Sequence, residues 1–396
     1  MERRACDLGL VDGSSPRPTG WRRAALVRWL ALSSVGLLLA ACGLPDVPEG
    51  SALTDLPISE WVYLPLGGDA VCASGSRYAA QVRRGTDDAE LVVSFQGGGA
   101  TWGVIEEASW LLSQFLSELY FERVRSIRKG GLSDPPADDP LARATQVVVS
   151  YCSGDIHWGD AFGVDATGTR IAHRGAANVE AVLDWLDDQA LAPERLTVAG
   201  CSAGAYGALL WAPSLAASYP GATRSLLLDA GLGVVQAPFV DRSTGLASWR
   251  VERAFRANGL EATLEGLGLD YVERLVASVA AAFGGPIGVA STRRDGVQAA
   301  FHFLMGGAPS VTSFKRDDVD AWSAAGATRL DRLDAIEGVS TFVSDWGPAL
   351  LPYGASGHCV TEDRDLWRHG MGDAFRDWWG ELRAGRLPDS VDLRSP

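Results

Sequence analysis

The sequence predicts an α/β fold in which a mostly parallel sheet is covered by helices on both faces. Three observations carry this. Short apolar, β-prone runs recur at 91–95, 146–151, 196–199, 225–229, 287–290 and 339–343. Helical stretches lie between them, such as Asn178 to Gln189, where Val179, Val182, Leu183 and Leu186 share one face. The runs are apolar throughout rather than alternating, as strands buried on both sides require. A chain of 396 residues, 47% hydrophobic and 21% charged, has the material for a sizeable core.

In order along the chain, Arg22, Arg23 and Arg28 precede an apolar stretch from Trp29 to Ala41. This reads as a secretory signal over 1–41, too short to remain as a membrane span. It ends Leu39-Ala40-Ala41-Cys42-Gly43, so Cys42 is expected to carry a lipid; cleavage near Ala41 without lipidation is the alternative. Pro45, Pro48 and Pro57 mark residues 42–59 as a flexible tether. A single domain over 60–396 is expected to follow.

That domain opens with two strand candidates of an antiparallel portion, Trp61–Leu64 and Tyr78–Val82. Trp110 to Val124 reads as an amphipathic helix, and Gly130 to Pro140 as a polar, proline-rich loop. Leu246 to Phe283 is largely helical and is expected to form a cap over the site. Asp373 to Leu382 closes the chain as a helix.

The chemistry is concentrated at strand ends, where sheets of this kind place their sites. Gly200-Cys201-Ser202-Ala203-Gly204 fits G-x-S-x-G at a switch from strand to helix. A turn that sharp strains the serine backbone and crowds its neighbours, which the two glycines relieve. The exposed hydroxyl then sits at a helix N-terminus, which favours developing negative charge. Ser202 is therefore the candidate nucleophile.

A serine hydroxyl needs a base, and the base needs an orienting acid. In an α/β hydrolase the order along the chain is Ser, acid, His. After Ser202 this leaves His302, His358 and His369. His302 lies in an apolar helix-like run and reads as packed or surface. His369 is in a terminal polar stretch. His358, in a Gly-rich loop after the last main strand, is the candidate base. Asp295 and Asp345 both fit as the acid, and an acid one strand before the histidine loop favours Asp295; a helix N-cap is the ordinary job for either. The oxyanion donors are expected from Ala203 and from Gly97-Gly98-Gly99, an apolar strand's exit without the lysine or spacing of a nucleotide loop. Trp102, Trp158 and Cys201 are candidates to line the pocket.

The ordered set "FQGGGATW", "YCSGDIHWGD", "GCSAGAYG", "LLLDAGLG" and "GHC", with a weaker "RRDGVQ", resembles the pectin acetylesterase and Notum carboxylesterases. The resemblance implies an α/β-hydrolase fold and a serine esterase without metal or organic cofactor. It carries the nucleophile to Ser202, the acid to Asp295, the base to His358 and the oxyanion hole to Gly98, Gly99 and Ala203. Thr101-Trp102-Gly103-Val104 stands where family members often have cysteines, so a local disulfide common in the family is missing here.

A formal charge of −14 argues against nucleic acid and anionic lipid as partners, leaving an N-terminal lipid as the membrane link. Export permits disulfides among Cys72, Cys152, Cys201 and Cys359, in a pairing that spacing leaves open. The expected function is an exported, monomeric serine esterase acting on short acyl esters, acetyl on carbohydrate above all. A glycan-binding surface lipoprotein that keeps the scaffold without catalysis is the alternative.

Overall fold

The computed structural model describes residues 44–102, 131–164, 170–240, 246–308, 313–345, 353–363, 366 and 371–393. The expected signal peptide, Cys42, the helix expected at Trp110–Val124 and His369 lie outside them.

Strands β1 (Trp61–Pro65) and β2 (Ala79–Arg83) form an antiparallel pair. The main strands follow: β3 (Asp87–Phe95) and β4 (Ala144–Val149), then a separate hairpin of β5 (Ala161–Val164) and β6 (Arg170–His173). Then come β7 (Arg195–Cys201), β8 (Thr223–Asp229), β9 (Ile287–Thr292), β10 (Val339–Ser344) and the short β11 (Val391–Asp392). Among the described residues, one sheet runs β1-β2-β4-β3-β7-β8-β9-β10-β11, and every pairing from β4 to β11 is parallel. Neighbours of β3 and β8 thus reach the same sheet edge with their carboxyl ends.

Side chains on a strand alternate between faces, and here the two sets enter two cores. Leu91 and Val93, Leu196 and Val198, Leu226 and Leu228, and Ile287 and Val289 face the core under helices Gly175–Asp187, Ala203–Ser218 and Tyr271–Phe283. Val92, Ala199, Leu227, Ala290 and Phe342 face the other core, closed by Phe375, Trp378, Trp379 and Leu382 of helix Met371–Arg383. Both faces being apolar is why the strands read as continuous runs rather than as alternation.

Two expectations need correction. From Asp46 onward the segment expected as a flexible tether is packed: Asp46 bridges Tyr63, and Leu53 and Leu56 are buried in the core. Each buried leucine contributes about 2 kcal/mol. Trp185 Nε1 donates to the Ser51 carbonyl at 2.9 Å, and Leu53 N–H donates to Gln189 Oε1 at 2.7 Å. The stretch Leu246–Phe283 is also more than a cap. Its longest helix, Tyr271–Phe283, buries Tyr271, Val272, Leu275, Val276, Val279 and Phe283 in the main core against Ala203–Ser218. Its small N-terminal helices carry Trp249, and Trp249 and Tyr271 reach the cavity described below. Helix Arg316–Asp334 and the β5–β6 hairpin were not anticipated, since neither shows a strong apolar period. Among the described residues no helix is long and apolar enough to cross a membrane.

Candidate active site

Ser202 stands between β7 and helix Ala203–Ser218 with φ 56° and ψ −125°, a strained conformation for a residue with a side chain. The glycines make it possible. A Cβ on Gly200 would run into the carbonyl of Gly204, and one on Gly204 into the carbonyl of Phe95 at the end of β3. The Ser202 N–H donates to the Asp229 carbonyl at 2.8 Å, which ties the elbow to β8.

His358 and Asp295 meet: His358 Nδ1 lies 2.7 Å from Asp295 Oδ2. Asp295 is fully buried after β9 and begins helix Gly296–Met305. Its Oδ1 accepts the N–H groups of Val297 at 3.0 Å and Gln298 at 2.9 Å. The side chain of Gln298 adds a donor to Oδ2 at 3.0 Å. Asp295 is therefore helix cap and histidine partner at once. Asp345 is turned away and pairs with Arg293 at 3.5 Å. Burial by itself lowers the pKa of His358, but Asp295, Asp229 and Glu362 together outweigh it and raise it above the ordinary 6.5.

Both disulfides bear on this end of the sheet. Cys201, just before the serine, is bonded to Cys359, just after the histidine, with 5.8 Å between Cα atoms. Cys72 is bonded to Cys152, at the start of the loop that follows β4.

Ser202, Ala203, Gly99 and His358 line one open cavity with an empty volume of about 570 Å³. Its remaining wall is mainly apolar, formed by Tyr206, Phe239, Trp249, Tyr271, Phe301 and Trp322 among others. Gly99 has φ +83°, open to glycine and strained for other residues. Gly98 does not line the cavity. It lies flat against the Tyr151 ring, where a Cβ would meet Cδ1 at 2.5 Å. Tyr151 OH donates to the Gly99 carbonyl at 2.7 Å and accepts from Ile156 N–H at 2.9 Å. It braces the glycine loop from behind.

The three side chains expected to line the pocket stand one layer behind it. Trp102 is buried edge-on to Phe239, with ring centres 5.2 Å apart. Trp158 is fully buried among Tyr206, Phe255 and Tyr271 and donates to the Tyr206 carbonyl at 2.9 Å. Cys201 is buried in its disulfide. Large aromatic rings at strand exits find more apolar surface inside the fold than at a solvent-open wall.

His157 is buried beneath the glycine loop. Its Nε2 lies 2.9 Å from the Gln96 carbonyl, and burial pushes its pKa down to about 4. Asp155 holds the same loop. Its Oδ1 accepts from Ser153 Oγ at 2.6 Å, and its Oδ2 from Gly175 N–H at 2.7 Å. His302 does line the cavity, but both ring nitrogens are engaged, Nδ1 2.9 Å from the Val234 carbonyl and Nε2 2.9 Å from Gln236 Nε2.

Sequence reasoning assigned no role to Tyr206, Gln298 or Tyr151, although each lies in one of the quoted motifs. Tyr206 lies one helical turn after Ser202, and its hydroxyl accepts the Gly233 N–H at 3.0 Å. Gln298 also accepts the Leu232 N–H at 3.0 Å, linking Asp295 to the loop after β8. Helical spacing from Ser202 and from Asp295 was the available signal for the first two. Tyr151 opens the quoted motif "YCSGDIHWGD", but nothing local pointed its hydroxyl at the glycine loop.

Residues 63–254 match the family described as Pectinacetylesterase. The matched segment holds the glycine loop, Tyr151, Ser202 and Asp229; Asp295 and His358 lie beyond it. Pectin acetylesterase 5 of Arabidopsis thaliana is 27% identical over 144 residues, which is 36% of this chain. The match covers 34% of that relative's own length. Among solved structures, the Wnt deacylase Notum from Drosophila matches in two crystal forms. One gives a TM-score of 0.56 at 18% identity over 83% of this chain and 95% of Notum. The other gives 0.55 at 18% identity, with 84% and 97% covered. This likeness establishes the fold, an α/β hydrolase with a large, mostly parallel sheet.

Proposed function

We propose that this chain is an exported serine carboxylesterase that cleaves short acyl esters, with acetyl esters of carbohydrate as the first class to test. The observation that carries the reading is the 2.7 Å contact of His358 Nδ1 with buried Asp295, in a histidine that shares a cavity with the strained Ser202. The match of residues 63–254 to the Pectinacetylesterase family supports the ester bond as the target.

The steps follow from these positions. With Nδ1–H donated to Asp295, the free Nε2 of His358 takes the proton as Ser202 Oγ attacks the ester carbonyl. The oxyanion forms at the N-terminus of helix Ala203–Ser218, where the N–H groups of Ala203 and Gly99 are the donors. His358 then protonates the leaving alcohol, and an acyl-Ser202 remains. Water, deprotonated by His358, releases the acid. The acyl group occupies the aromatic wall of the cavity. The Arg-rich, apolar N-terminus and Cys42 support an exported protein held by a lipid anchor, its domain acting as a monomer.

The test is hydrolysis of p-nitrophenyl acetate, butyrate and octanoate by the chain from Leu44 onward, beside Ser202→Ala. Loss of the serine is expected to lower turnover by several orders of magnitude. The chain-length profile reads the depth of the acyl site. Equal rates in both proteins, or none in a folded parent, overturn the esterase and favour a glycan-binding lipoprotein.

A further inference from the structure

Asp229 is the last residue of β8 and the register partner of Cys201. It belongs to none of the roles assigned above, yet it touches both halves of the site. Its carbonyl accepts the Ser202 N–H at 2.8 Å. Its Oδ2 accepts the Thr361 N–H at 2.7 Å and the Thr361 Oγ1 hydroxyl at 2.6 Å, three residues after His358. The side chain is fully buried, and its Oδ1 has no hydrogen-bond partner among the described residues.

A clasp between strand and loop needs only an acceptor, which a neutral asparagine offers with the same shape. A carboxylate at this depth is costly unless its charge is used. The groups facing His358 from the surrounding elements are Asp295 from the turn after β9, Asp229 from β8 and Glu362 from its own loop. When His358 takes the serine proton it becomes a cation in this enclosed space, and a second buried negative charge stabilises it.

We infer that Asp229 is a positioning residue with two effects: it fastens the histidine loop to the nucleophile strand, and its negative charge stabilises the His358 imidazolium formed in turnover. The inference rests on the serine esterase reading.

The test measures kcat and KM for p-nitrophenyl acetate across the histidine range of pH, in the parent, Asp229→Asn and Thr361→Val. Asp229→Asn keeps an acceptor for Thr361 and removes the charge. It is expected to lower kcat roughly tenfold with little change in KM, and to move the acid limb of kcat/KM down by about half a pH unit or more. The direction follows because an imidazolium with less negative charge nearby loses its proton more readily. Thr361→Val loosens the clasp and, by removing the hydroxyl that favours the Asp229 carboxylate, neutralises part of the charge in the same pH range. It is expected to lower kcat several-fold and to move the limb in the same direction by less than Asp229→Asn. An unmoved limb in Asp229→Asn overturns the charge effect, as does a larger shift in Thr361→Val. If Asp229→Asn does not fold, Thr361→Val decides the clasp, and an unchanged kcat there overturns it. A parent without Ser202-dependent turnover removes the esterase reading itself, an outcome separate from all of these.

Discussion

Asp295 divides its two oxygens between two tasks: Oδ2 meets His358 Nδ1 at 2.7 Å, while Oδ1 caps the helix Gly296–Met305. One side chain is thus both the N-cap of this helix and the hydrogen-bond partner of His358. The cap fixes the rotamer that the histidine needs.

This division separates activity from stability. Asp295→Asn can still cap through its carbonyl but is a poor partner for the imidazolium, so kcat should fall by about 10³–10⁴ with the melting temperature nearly kept. Asp295→Ala should lose as much activity and about 1 kcal/mol or more of stability besides. Ester kinetics beside thermal melts distinguish the two, and equal melting of both variants would count against the cap.

In the proposed mechanism His358 takes a proton only when neutral. Since His358 has its pKa raised above 6.5, kcat/KM should fall as pH drops through a value above 6.5, not below it. A pH–rate profile of the parent checks this directly.

His157 should titrate stability in the opposite sense to a paired histidine. Its folded pKa, about 4, is below the unfolded 6.5 because burial excludes the charge. Between those values the unfolded chain binds more protons, so its contribution is full above pH 6.5 and is lost as pH falls toward 4. The loss amounts to about 3 kcal/mol. Asp229, raised to about 6 chiefly by its burial, has the reverse slope between its unfolded and folded values. The His157 part is therefore read as the difference between parent and His157→Gln in denaturant melts at two pH values. A difference that does not change with pH would contradict it.

The Cys201–Cys359 disulfide joins the residue before Ser202 to the residue after His358. Replacing both with serine should lower stability by about 2–4 kcal/mol and kcat by more than the change in folded fraction explains. The comparison is activity per folded molecule, at a temperature well below both melts.

Tyr151→Phe removes the hydroxyl between the Gly99 carbonyl and the Ile156 N–H. Two buried groups lose a partner, at a cost of about 1–3 kcal/mol. With Gly99 less well held, kcat should fall while KM changes little. A shift confined to KM would place the glycine loop in substrate binding instead.

What could be read from the chain was local in origin. The sharp turn at Ser202 is dictated by steric room at Gly200 and Gly204, which the pattern displays directly. The parallel strands announce themselves because burial on both faces demands unbroken apolar runs, as in Leu226-Leu227-Leu228, whose members enter two different cores. The candidate base followed from chain order and a flexible loop. What required the tertiary structure was every choice among distant equals. Asp295 and Asp345 have the same chemistry, and only packing turns one to His358 and the other to Arg293. The four cysteines pair according to which strand ends and loops the sheet brings together. Trp102 and Trp158, after strand ends, could be wall or core, and the depth of the surrounding layers made both core. Asp229, in a quoted motif but without an assigned role, gains its side-chain partner from a loop 132 residues away. Hydrogen bonds and charges act over ångströms in space, so separation along the chain carries no record of them.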